Sequence, residues 1–146
     1  MKKTITTRFG EVEYSPDNIL TFPEGLVGLP ALHSFIVMPN TKKGPLFWIQ
    51  SVDDPLMAFI LTDPTDFFLD YNVIPDEKER KLLGIDSTEQ SVILSIVTVS
   101  ETREITLNLA APIIFAPTTS RAIQVILEDS PYSTKTKLPE IAASQK

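Results

Sequence analysis

Residues Gly44 to Pro64 read GPLFWIQSVDDPLMAFILTDP. Two nearly continuous apolar runs, Leu46-Phe47-Trp48-Ile49 and Met57-Ala58-Phe59-Ile60-Leu61, flank Asp53-Asp54-Pro55. A strand wet on one face alternates polar and apolar residues, so short unbroken runs bounded by Pro and Asp read as buried central strands. Asp bonds neighbouring backbone groups and Pro presets its own φ, which suits a short reversal between them. The stretch is expected to be the core hairpin on which the other strands assemble.

Upstream, Thr4–Arg8 and Glu11–Tyr14 read as two short strands around Phe9-Gly10, forming a half-exposed edge hairpin. Ser15-Pro16-Asp17-Asn18 is a turn by composition, and Ile19–Phe22 is a strand stopped by Pro23. Pro23–Pro30 alternates breakers with apolar residues, and Gly25 and Gly28 are expected at positive φ in an ordered loop. Pro30 followed by a strand, with no helix to receive a phosphate, argues against an anion cradle. Ser34–Met38 is the next strand, and Thr41–Pro45 an exposed basic loop.

Downstream, residues 65–74 predict a helical turn and a short extended piece. Pro75–Gly84 is the one convincing helix, with Pro in its first turn, acids before bases, and Gly closing it. Leu82, Leu83 and Ile85 would dock its end on the sheet, leaving Asp76, Glu77 and Glu79 in water. Ser91–Val99 reads as a long strand buried on most of both faces, and Ile105–Leu109 as a strand with one core face and one wet face. Ala110-Ala111-Pro112 interrupts it before Ile113-Ile114-Phe115, and Ala122–Leu127 is the last strand expected. About ten short strands with one or two short helices make an all-β, barrel-like fold. Residues 1–138 are expected to form a single domain and 139–146 a flexible C-terminal tail.

A chain of 146 residues is long enough to bury roughly 70% of its unfolded surface. It has no apolar run long enough for a membrane span and no signal-peptide h-region at its N-terminus. Cysteine is absent, which removes disulfides and thiolate metal sites. A cytoplasmic protein is the simplest reading. The net charge of −6 is concentrated in residues 53–90, which hold three Lys/Arg against ten Asp/Glu. Such a surface disfavours direct nucleic-acid binding and suits a basic protein partner, or serves solubility alone.

The sequence shows no catalytic signature. His33 is the lone histidine and reads as an ordinary strand-end residue, since no nucleophile elbow accompanies it. Asp53, Asp54, Asp63, Asp66 and Asp70 are the carboxylates to weigh as metal ligands or acid–base groups. Their spacing does not make a calcium loop, and several stand beside Pro or in turns, where Asp has a structural use. No catalytic residue, cofactor or metal is expected.

Three blocks in a fixed order resemble the bacterial flagellar assembly factor FliW family: Arg8-Phe9-Gly10-Glu11 with Ile19–Gly28; Ile49–Pro55 with Phe59 and Asp63-Pro64; and Leu107–Ile113 followed by Gln124–Leu127 and Tyr132. The resemblance covers roughly Thr7 to Leu138. The chain departs from it at Leu29-Pro30-Ala31-Leu32 and at Phe115-Ala116-Pro117, where the family more often shows an acidic-aromatic pair and a polar Asn-containing turn. The resemblance implies a small cytoplasmic protein without catalytic activity, monomeric when free. It implies two protein partners: flagellin, and CsrA, a dimeric regulator that blocks translation of messages including flagellin's. Binding of CsrA would relieve that repression, and flagellin would compete for the same factor. A dedicated flagellin export chaperone without regulator binding is the alternative. Asp66, Asp70, Asp76, Glu77 and Glu79 are the residues expected to steer or hold CsrA, whose RNA-binding surface must be basic.

Overall fold

The computed structural model describes residues 3–7, 10–38, 46–127 and 131–137. The apolar runs become eleven strands: β1 (Lys3–Thr7), β2 (Gly10–Tyr14), β3 (Ile19–Thr21), β4 (Ser34–Met38), β5 (Leu46–Ser51), β6 (Ala58–Thr62), β7 (Val92–Val99), β8 (Ile105–Leu107), β9 (Ile113–Ala116), β10 (Arg121–Gln124) and β11 (Thr136–Lys137). One α-helix, α1 (Glu77–Leu83), and three single 3-10 turns complete the described elements.

The expected core hairpin forms. β5 and β6 pair antiparallel from Leu46↔Thr62 to Gln50↔Ala58, with β4 on the far edge of β5 and β7 on the far edge of β6. From β4 the ladder passes to β3, crosses in parallel to β10 at Arg121↔Thr21, and returns through β9 to β7. Seven strands are thereby joined in a closed ring of hydrogen bonds, a barrel-like arrangement. Closure removes the exposed edges that an open sheet would present. β1 and β2 stand outside it as their own two-stranded sheet, half-exposed as expected, with Arg8 and Phe9 outside the described residues.

β8 and β9 both run antiparallel to β7, β8 against its last residues and β9 against its first. The interruption expected at Ala110-Ala111-Pro112 begins earlier: β8 ends at Leu107 rather than Leu109, and after Asn108 N–H has donated to Ile96 O at 2.9 Å the chain leaves the ladder until β9. The detached backbone is satisfied locally: Ala111 N–H donates to Asn108 Oδ1 at 3.0 Å, Val125 N–H to Pro112 O at 3.0 Å and Leu127 N–H to Ala110 O at 2.8 Å. β10, expected to run to Leu127, accordingly ends at Gln124.

The wall is apolar on both faces where it is covered on both. Ile113 and Ile114 are neighbours pointing to opposite faces, and both are fully buried. Ile113 joins Phe22, Phe35, Ile49 and Leu61 inside the ring, where the Phe22 and Phe35 rings meet edge-on at 5.2 Å. Ile114 joins Ala116 and Ile123 under Leu83 and Ile85, so the end of α1 docks as its sequence predicts. On β7 and β8 the covering piece is residues 67–73, with Tyr71 packed on Val97, Leu107 and Leu109.

Four further details differ from expectation. Pro75 precedes the N-cap instead of occupying the first turn, because Asp76 caps α1 with its own carboxylate. Thr106 is buried rather than wet, because it lies between β7 and β11 in the ladder and not on an edge. The central part of β7 is covered on both faces, but Val92 and Val99 at its ends are exposed. β11 is a strand that polar composition did not announce; its two residues are held by Leu107 and Thr106. The expected tail at 139–146 and the basic loop at 41–45 lie outside the described residues.

Candidate partner-binding surface

From Gly44 to Glu77 the sequence holds no Lys or Arg and seven acids. Most of these carboxylates are committed to their own backbone. Asp53 Oδ2 accepts from His33 N–H and Ser34 N–H, both at 2.8 Å, fastening the start of β4 to the β5–β6 turn. Asp54 Oδ1 accepts from Leu56 N–H at 3.1 Å, and Asp63 Oδ1 accepts from Thr65 N–H at 2.9 Å and Thr65 Oγ1–H at 2.6 Å. Asp76 Oδ1 accepts from Glu79 N–H while Glu79 Oε1 accepts from Asp76 N–H, each at 2.8 Å, a reciprocal capping box at the positive end of α1. Glu77 pairs loosely with Lys81 at 3.6 Å, both side chains in water.

Of the five residues expected to meet a partner, only Asp66 and Asp70 are both exposed and without a side-chain partner among the described residues. Asp76 is exposed but caps the helix, and Glu79 is half-buried. The Asp-x-x-Glu spacing is a capping-box signature and could have assigned those two from sequence. No group of three His, Cys, Asp or Glu among the described residues is placed to hold a metal. His33 is exposed; its Nδ1–H donates to Phe22 O at 2.9 Å, the strand-end role expected of it.

The segment carrying Asp66 and Asp70 is pinned from below. Phe68 N–H donates to Pro64 O at 2.8 Å, and Tyr71 N–H to Phe68 O at 3.0 Å. Tyr71 is buried, donates its hydroxyl to Leu109 O at 2.7 Å, and meets the Tyr132 ring edge-on at 4.9 Å. Burial, reinforced by the Tyr132 phenol, holds its pKa well above the usual tyrosine value. Behind α1, Thr119 Oγ1–H and the Arg121 guanidinium reach the carbonyls of Leu83 and Leu82. The acidic stretch is thus displayed on fixed backbone.

A second recessed feature is an open apolar groove of about 340 Å³ beside residues 108–111, lined by Leu29, Phe59, Ile96 and Ile126 among others. Gln124 braces it: Oε1 accepts from Val27 N–H at 2.9 Å and Nε2–H donates to Ala111 O at 3.1 Å. None of its described lining residues is acidic, basic or a thiol, so it offers shape and apolar contact rather than proton transfer. Sequence reasoning did not find this brace, since a lone Gln in a strand carries no signal.

A family model described as FliW protein matches residues 3–138. The chain belongs to the FliW family. It is similar to the flagellar assembly factor FliW of Syntrophotalea carbinolica, 60% identical over 95% of this chain and 99% of that one. Flagellar assembly factor FliW 2 of Desulfotalea psychrophila is 62% identical over 94% of this chain and 91% of its own length. A crystal structure of the flagellar assembly factor FliW superposes with a TM-score of 0.85 at 28% identity, covering 94% of this chain and 98% of that one. Two of the FliW-like blocks reach the β5–β6 turn and the detour between β8 and β9. Ile49–Pro55 runs from the end of β5 into its turn, Leu107–Pro112 runs from the end of β8 into the detour, Gln124 bonds the detour at Ala111, and Tyr132 packs on the Tyr71 that bonds Leu109. No helix among the described residues is long and apolar enough to cross a membrane.

Proposed function

We propose that this chain is a non-enzymatic, cytoplasmic flagellar assembly factor that binds and antagonises the translational regulator CsrA and also binds flagellin. The observation that carries the reading is family membership over residues 3–138, with relatives named flagellar assembly factor at 60% and 62% identity. The acidic 66–79 segment supports a basic protein partner, and Asp66, Asp70, Asp76, Glu77 and Glu79 supply its field. The free chain is monomeric in this reading, contacts no nucleic acid or membrane and needs no cofactor. Its mechanism is linked equilibria. Each partner binds the folded chain, so flagellin in excess lowers the free pool and returns CsrA to its messages.

The test is titration calorimetry of the purified chain with CsrA and with flagellin in separate runs. Saturable binding of both is the expected result. Binding of flagellin alone would leave a dedicated export chaperone, and binding of neither contradicts the reading.

A further inference from the structure

Resting on the partner-binding reading above, we infer that Leu69 and Ile74 are the apolar anchors by which the 66–77 segment holds a protein whose surface is an apolar cleft edged with Lys and Arg. Leu69 is 89% exposed and Ile74 67%. Single apolar residues in water are ordinary on protein surfaces, so exposure alone decides nothing. Two features set this pair apart.

The first is that the segment has already met its own burial needs. Phe67, Phe68, Tyr71 and Val73 turn inward onto Val97, Leu107 and Leu109, and Pro75 is buried. Leu69 and Ile74 are left out of that packing and stand in water. Leu69 sits with Asp70 in the middle of the turn closed by Tyr71 N–H to Phe68 O, and Ile74 lies between inward-facing Val73 and Pro75. The Tyr71 hydroxyl and the Tyr132 ring fix that turn. A side chain displayed on fixed backbone gives up its own rotamer freedom when it docks but needs no loop to be ordered with it.

The second is charge. Asp66, Asp70, Asp76 and Glu77 surround the pair in the sequence and outnumber the two cations nearest to it, Lys78 and the Arg80 guanidinium that donates to Pro75 O at 2.7 Å. An aliphatic pair framed by carboxylates complements an apolar cleft rimmed with bases and repels nucleic acid or an acidic protein. In such interfaces the desolvated centre carries most of the affinity while rim charges govern approach. The acids therefore set the association rate, and Leu69 and Ile74 set the residence time.

The experiment follows association and dissociation of purified CsrA on the immobilised chain at two salt concentrations. Four proteins are compared: wild type, Leu69→Ala with Ile74→Ala, Asp66→Asn with Asp70→Asn, and the control Val99→Ala at an exposed valine elsewhere. The apolar pair variant is expected to lose about tenfold or more in affinity, as faster dissociation, with its salt dependence intact. The acid pair variant associates more slowly and loses salt dependence, and Val99→Ala matches wild type. All these side chains are exposed, so thermal midpoints should coincide, which separates lost contact from lost fold. Wild-type binding that the apolar pair variant retains to within about twofold overturns this inference alone. Wild type that binds no CsrA overturns the partner-binding reading with it.

Discussion

Asp76 and Asp66 belong to one acidic segment, yet their carboxylates face different tasks. Asp76 accepts the Glu79 amide and holds the first turn of α1, whereas Asp66 has no side-chain partner among the described residues. Asp76→Ala should therefore cost about 1 kcal/mol in urea unfolding, while Asp66→Ala stays within about 0.5 kcal/mol of wild type. Equal costs would remove the distinction between structural and displayed acids. Gly25 and Gly28 divide similarly, at φ +71 and +79. A Cβ on Gly28 meets nothing within 4 Å, but on Gly25 it would lie 2.5 Å from Pro30 O. Gly28→Ala should cost about 1 kcal/mol from backbone strain, and Gly25→Ala clearly more, as read from denaturation midpoints. Tyr71 supplies a pH dependence. Its raised pKa means that folding favours the neutral phenol. Its contribution is complete below the unfolded value of about 10 and declines as pH climbs beyond it. Tyr71→Phe should lower stability by about 1 kcal/mol at neutral pH and flatten the alkaline limb of the stability curve.

The β5–β6 turn shows what an element adds to its residues. Gln50 is fully buried, and its Nε2 donates to Ser51 O, Pro55 O and Met57 O at 2.9, 2.9 and 3.1 Å. Its Oε1 has no partner among the described residues. A buried amide with one unsatisfied atom is tolerated where three carbonyls share the two N–H groups of the other, Met57 O also accepting from Ser51 N–H at 2.9 Å. Gln50→Glu places a carboxylate against those carbonyls and should cost about 3 kcal/mol or more, measurable by chemical denaturation; a near-neutral change would contradict the role assigned to the amide. Sequence showed this hairpin because unbroken apolar runs and Asp-Asp-Pro act locally. It showed the helix, the detour at Pro112 and the glycine loop for the same reason. It did not show β11, whose two polar residues are strand only because Leu107 and Thr106 offer backbone partners. Nor did it show that Asp66 and Asp70 stand apart from Asp76 and Glu79, although the capping spacing was there to be read. The outward pair Leu69 and Ile74 was hidden because a helical turn and an irregular extended piece carry no single period.

At the scale of the whole molecule, seven strands close into a ring of hydrogen bonds, and the acidic segment is fastened to the outer face of β7 and β8. The net charge lies almost wholly in residues 53–90, and an acidic stretch of this kind favours approach of a basic protein. A rigid scaffold with displayed side chains suits exchange between partners, since neither requires the chain to refold and occupancy follows concentration and affinity alone. That exchange is the central claim, and competition tests it most directly. CsrA carrying a fluorescent label is bound to the chain at a fixed concentration, and unlabelled flagellin is added while anisotropy is followed. The account predicts that flagellin drives anisotropy down to the value of free CsrA; a stable complex holding all three proteins, or no initial binding of CsrA, would contradict it.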